Sequence, residues 1–126
     1  MSKFLAAAVQ LHAPEDKSRN VETATRLVGD AARRGAQLVA LPELFSCIGR
    51  WEDVVPQAEP IPGPTSERMS QLAAELKITL LAGSMAEQSE VAGKVYNSSV
   101  LFGPDGRQLA VYRKRHLFDV DVPDKV

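Results

Sequence analysis

The sequence predicts an α/β fold in which a parallel strand–helix–strand opening passes into an antiparallel hairpin. Three observations predict it. Two short, almost continuous apolar runs, residues 3–11 and 37–41, flank a stretch of helical periodicity. A second helical stripe leads into a third apolar run at residues 78–82. Beyond it, Gly103-Pro104-Asp105-Gly106 separates two strand-like segments with a specific turn signal. The 126 residues suit one small domain, and a composition 44% hydrophobic and 25% charged can build a core.

The elements follow in order. Residues 3–11 (KFLAAAVQL) read as a strand buried on both faces, as parallel strands are. Pro14 ends it, and Asp16, Ser18 and Asn20 are cap candidates for a helix over about residues 18–34. Val21, Ala24, Leu27, Val28, Ala31 and Ala32 form its apolar stripe, and Gly35 is a suitable stop. Residues 37–41 give a second buried strand ended by Pro42. This strand–helix–strand unit implies parallel pairing. Glu43 then lies just past a strand's carboxyl end, where open α/β sheets tend to hold their sites.

Residues 46–64 carry Pro56, Pro60, Pro62 and Pro64 and read as a loop. Trp51, Val54 and Val55 suggest a short helical piece packed beneath it. Thr65 and Ser66 are expected to cap a helix running to about Lys77, with Met69, Leu72, Ala73 and Leu76 inward. The strand at residues 78–82 follows. The hairpin is expected over residues 95–102 and 109–112.

Fifteen basic and sixteen acidic residues give a net charge of −1, so nothing calls for nucleic acid or an anionic membrane. The apolar runs are too short to span a bilayer, and the start at Met1-Ser2-Lys3 lacks the flanks of a signal peptide. A cytoplasmic location is the default expectation. One cysteine, Cys47, excludes an internal disulfide. With His12 and His116 it shows no metal-ligand spacing, so no metal is expected. No glycine-rich phosphate loop occurs, so no nucleotide cofactor is expected.

Several residues could carry chemistry. Glu43 sits among Pro42, Leu44 and Phe45, and partial desolvation there is expected to raise its pKa toward that of a general base. The plainer reading is a surface loop glutamate. Lys114 lies in Arg113-Lys114-Arg115, which taken alone is a solvated basic run. Strand alternation nevertheless puts Lys114 on the same face as Tyr112, where a fixed ammonium can stabilise an oxyanion. Cys47 is the only thiol, but its short loop offers no orienting partner, and a structural role suits it better. His12 and His116 read as loop-bonding residues rather than catalysts. In Tyr96-Asn97-Ser98-Ser99 the small polar side chains either face a site or simply face solvent.

The ordered set is more informative than any member. Leu41-Pro42-Glu43-Leu44-Phe45, Pro60-Ile61-Pro62-Gly63-Pro64, Leu81-Ala82-Gly83-Ser84, Val95-Tyr96-Asn97-Ser98-Ser99, Gly103-Pro104-Asp105-Gly106 and Tyr112-Arg113-Lys114-Arg115-His116-Leu117-Phe118-Asp119 occur in that succession. It resembles the nitrilase, or carbon-nitrogen hydrolase, superfamily across essentially the whole chain, and most of all its amidase branch of omega-amidase and deaminated-glutathione-amidase type. The resemblance implies the amino-terminal portion of a four-layer α-β-β-α sandwich, so that residues 1–126 form a partial domain. It implies hydrolysis of amide or nitrile bonds in a small molecule, with Glu43 as general base, Lys114 as oxyanion stabiliser, a cysteine nucleophile, no cofactor and a homo-oligomeric assembly. The family's nucleophile block follows the lysine and has no match here, nor does Cys47 match it. Asp124 stands where the family usually shows glycine. The chain is therefore expected to be inactive alone, poorly soluble or self-associating. The alternative is a non-catalytic binding or regulatory half-domain that associates with a full-length homologue.

Overall fold

The computed structural model describes residues 2–117. The motif residues Phe118 and Asp119 and the segment around Asp124 lie outside them. Five strands form one mixed sheet in the order β1-β2-β3-β4-β5. These are β1 (Leu5–Ala8), β2 (Ala36–Ala40), β3 (Thr79–Gln88), β4 (Val95–Phe102) and β5 (Gln108–Arg113). β1, β2 and β3 run parallel, and β3, β4 and β5 pair antiparallel. The parallel opening and the appended hairpin are both as the sequence predicts.

Helix α1 (Lys17–Arg33) starts at Asp16, whose carboxylate accepts the Arg19 N–H at 3.0 Å. It ends before Gly35 at φ +95°. A short α2 (Trp51–Val54) runs into a 3₁₀ turn, Val55–Gln57. Helix α3 (Pro64–Leu76) has Gly63 rather than Thr65 or Ser66 as its N-cap. Ser66 lies inside the first turn and its hydroxyl accepts the Gly63 N–H at 2.9 Å. Proline at the first helical position explains the earlier start, since it has no N–H to leave unpaired.

Both long helices cover one face of the sheet. Ala24 and Val28 of α1 and Met69, Leu72 and Ala73 of α3 meet Val39, Leu80, Ala82, Val100 and Phe102 in one core. Strand alternation puts Leu38, Leu81, Leu101 and Tyr112 on the opposite face, where they are half-buried or exposed. The described residues thus form one α layer on one β layer.

Two expectations need correction. β1 is not buried on both faces. It is an edge strand, and Phe4 and Leu5 are 62% and 53% exposed. An all-apolar run records what a strand can be packed against, not what packs on it. Second, β3 does not stop at residue 82 but continues to Gln88, with an irregularity between Ala82 and Met85. β4 pairs with residues 85–88 and Glu59 bridges Glu87 from the other side, so ladder bonds sustain a segment without strand-like composition.

Candidate active site

Glu43 is set by a segment stitched to β3. Leu41 N–H donates to the Leu81 carbonyl, Ser84 N–H to the Pro42 carbonyl and Phe45 N–H to the Ser84 carbonyl, at 2.9, 3.0 and 3.0 Å. Phe45 is fully buried and anchors the turn. Between the two anchors Leu44 takes the left-handed conformation, φ +50°, which is uncommon for a branched apolar residue. Its N–H donates to the Ser84 hydroxyl at 3.2 Å. Gly83 permits this close approach, since a Cβ there would lie 3.1 Å from the Leu41 carbonyl oxygen.

Lys114 follows β5 and continues its ladder, its N–H donating to the Asn97 carbonyl at 2.8 Å. Its ammonium reaches Oε1 of Glu43 at 2.8 Å across 71 residues of sequence. The Asn97 amide Nδ2 donates to the same oxygen at 2.8 Å. The Ser84 hydroxyl, already accepting from Leu44, donates to Oδ1 of Asn97. That bond fixes which end of the amide faces Glu43. Asn97 therefore serves both partners, through its carbonyl to the Lys114 backbone and through its side chain to Glu43.

The expected rise in the Glu43 pKa is not found. The hydrogen bond from Lys114, then that from Asn97, holds it below the ordinary carboxylate value, against a weaker effect of burial. The glutamate side chain is 57% exposed, so water and the ammonium both favour its charged form. Tyr112 lines the same hollow as Glu43, Asn97 and Lys114, in keeping with strand alternation.

Beside the pair opens a cleft of about 570 Å³, lined by the polar Glu43, Asn97 and Lys114 and by the apolar Leu44, Ile48, Trp51, Val54, Val95 and Leu117. Trp51 is not packed beneath the loop as its apolar surroundings suggest. It is 53% exposed and held by its indole N–H, which donates to the Gly93 carbonyl at 3.0 Å. Cys47 is 3% exposed and does not line the cleft. Burial, then Glu15 and Asp53, push its thiol pKa up, away from a thiolate. His12 and His116 are exposed and also lie outside the cleft lining. Among the described residues, no group of three or more His, Cys, Asp or Glu could hold a metal ion. No described helix is long and apolar enough to cross a membrane.

Sequence reasoning thus named the two charged partners. It left Asn97 undecided and missed the cleft wall. Asn97 had a signal in its alternation with Ser99 on β4, and Trp51 and Ile48 had none beyond lying in the loop after Glu43.

Residues 5–126 match the carbon-nitrogen hydrolase family. The chain is 45% identical, over its whole length, to the omega-amidase NIT2 of Xenopus tropicalis, and it spans 45% of that protein. The crystal structure of the C. elegans NitFhit protein superposes with a TM-score of 0.83 at 27% identity, covering 96% of this chain and 30% of the other. Saccharomyces cerevisiae Nit3, a member of the nitrilase superfamily, gives 0.75 at 30% identity over 86% of this chain and 42% of its own. The fold, the ordered motifs and these likenesses agree, and the chain belongs to the carbon-nitrogen hydrolase family.

Proposed function

We propose that this chain contributes the base and the oxyanion-stabilising cation of an amide-hydrolysing site, in the manner of the omega-amidases it is similar to. The observation that carries the reading is the meeting of Glu43 and Lys114 at the mouth of an apolar cleft. The substrate class is a small molecule with a terminal amide. A thiolate attacks the amide carbon, the tetrahedral oxyanion forms beside Lys114, ammonia leaves, and water cleaves the resulting thioester. Glu43 moves the protons. Both described contacts on its carboxylate fall on Oε1, which leaves Oε2 to accept a proton. As Lys114 turns to the developing oxyanion, Glu43 loses the partner that depresses its pKa and becomes a stronger base.

Cys47 is not the attacking thiol in this scheme, because it is buried, does not line the cleft and is pushed toward the neutral thiol. It is the chain's one cysteine, so the 126 residues alone are expected to release no ammonia. The cytoplasmic setting and homo-oligomeric assembly expected from the sequence belong to the same proposal. The inactive thiol equally favours a second reading, a non-catalytic half-domain that associates with a full-length homologue.

A chimera separates the two. The chain is joined to the remaining carboxy-terminal part of the Xenopus omega-amidase, and ammonia release from a short aliphatic amide is measured. Activity is expected, with Glu43→Gln and Lys114→Met each lowering kcat by about 10²–10⁴-fold. Full activity in either variant overturns the assigned roles. A folded but inactive chimera, together with co-purification of the unfused chain with the full-length relative, establishes the half-domain instead.

A further inference from the structure

Among the described residues, Glu87 is the only buried charged residue, at 6% exposure. It lies on the sheet face away from Lys114 and lines no part of the cleft. Its carboxylate is fully engaged. Oε1 accepts from Nη2 of Arg113 at 2.7 Å, and Oε2 accepts from Nε of Arg113 at 2.9 Å and from the Ser98 hydroxyl at 2.6 Å. This two-pronged geometry fixes the guanidinium plane as well as its distance. The face of Tyr96 supports the same guanidinium, 4.0 Å from its carbon, and the Tyr96 hydroxyl is itself tied to Glu90 at 2.7 Å.

The two ends of the grip differ in rigidity. Glu87 stands near the end of β3, between β4 on one side and Glu59 on the other. Glu59 N–H donates to the Ala86 carbonyl at 3.2 Å, and Gln88 N–H to the Glu59 carbonyl at 2.9 Å. Arg113 ends β5, whose six residues are all exposed and which, among the described residues, pairs with β4 alone. The next residue is Lys114, whose backbone has one described bond to the sheet. The end of an exposed edge strand is where a sheet frays. Without a second anchor, the ammonium has one backbone bond and a flexible four-carbon stem to keep it on Glu43.

We propose that Glu87 is a positioning residue for Lys114, gripping the preceding Arg113 from the opposite face of the sheet and so holding the lysine against Glu43. The inference rests on the pairing of Glu43 with Lys114 in the proposed function. Glu87 touches neither substrate nor reacting atoms. It acts by fixing where β5 ends.

The test is a carbon-13 NMR titration of the Glu43 and Glu59 side-chain carboxyls in the full chain. Three variants are compared with the parent: Lys114→Met, Glu87→Gln and Arg113→Lys. Arg113→Lys keeps the charge and removes the fork, on a side chain that is half exposed, so it covers the case in which Glu87→Gln does not fold. Lys114→Met raises the Glu43 midpoint by removing the ammonium. Glu87→Gln and Arg113→Lys are expected to produce about half of that rise or more, with Glu59 unmoved. The sign is diagnostic. Deleting a negative charge at Glu87 would by itself lower the Glu43 midpoint, so a rise reports displacement of Lys114. If Lys114→Met raises the Glu43 midpoint while the other two variants leave it unchanged, the positioning role is overturned and the pairing stands. If Glu43 and Glu59 rise together, Glu87 is a general structural support and the proposal fails. If Lys114→Met itself moves nothing, the pairing beneath the proposal is wrong.

Discussion

Glu43, Glu59 and Glu87 are all held below the ordinary carboxylate value, for different reasons. Glu43 is solvated and paired. Glu87 is held down first by the hydrogen bonds from Arg113, against burial, with Ser98 assisting. For Glu59, burial pushes the pKa up most, and hydrogen bonds from Lys17 and from the Thr65 hydroxyl and N–H together outweigh it. A carboxylate whose folded-state pKa is depressed contributes stability above its unfolded value, roughly 4.3 for glutamate, and loses it as pH falls through the folded value. Thermal unfolding followed from pH 7 down to pH 2 is therefore expected to show a falling midpoint that begins near the unfolded value. Glu59→Gln leaves Lys17 poorly paired and is expected to cost about 1–3 kcal/mol at neutral pH, with a flatter curve in acid. An acid slope unchanged by the substitution would show that Glu59 has no part in it. Glu43 and Lys114 were legible because charged residues after strand ends are conspicuous and the blocks around them resemble a family. Asn97 was half legible, since alternation says which side of a strand it faces but not whether a carboxylate waits there. The direction of the Glu43 shift was not legible, because it depends on a lysine 71 residues away.

Elements bounded by strong local signals formed where the sequence put them. α1 has an aspartate cap and a glycine stop, and both function. The β4–β5 turn is closed by Gly106 N–H donating to the Gly103 carbonyl at 2.8 Å and Gly103 N–H to the Arg107 carbonyl at 2.9 Å. Gly106 adopts φ +82°, and a Cβ there would lie 2.8 Å from the Ser70 carbonyl oxygen of α3. Its own carbonyl accepts the Ser70 hydroxyl at 2.5 Å. The turn is thus docked on α3. Gly106→Ala is expected to cost about 1–3 kcal/mol. In urea the midpoint should fall with the slope unchanged, and an unaltered midpoint would mean that the turn is not tight. The second half of β3 escaped sequence reading for the opposite reason. Gly83-Ser84 looks like a terminator, and only pairing with β4 and Glu59 makes it a strand. β1 was found but misjudged, because burial belongs to the neighbours and not to the run itself.

For the whole molecule, one sheet face is covered by helices, and both edge strands present apolar side chains. Leu5 on β1 and Leu109, Val111 and Tyr112 on β5 are between 41% and 57% exposed. Unpaired edges with apolar side chains promote strand-to-strand association. The chain is expected to self-associate with rising concentration in sedimentation velocity, and Val111→Lys on the β5 edge should reduce that association. A monomer at every concentration would contradict it. The sequence predicts the amino-terminal portion of a four-layer sandwich, and the described residues supply two layers, helices on a sheet, matching 30% and 42% of the lengths of the NitFhit and Nit3 chains.

The distance in sequence between Glu43 and Lys114 also sets an order of events. The parallel half of the sheet, with its connecting helix, can assemble from residues up to about the end of β3, and a chain made from its amino terminus has Glu43 in place by then. Until the hairpin folds back, that carboxylate lacks both of its described hydrogen-bond donors. Its acidity is expected to change as the hairpin arrives, since the Asn97 amide comes with β4 and Lys114 with the end of β5. The ionisation of one surface glutamate is therefore expected to report sheet completion in two stages, shifting as β4 brings the Asn97 amide and further as the end of β5 brings Lys114.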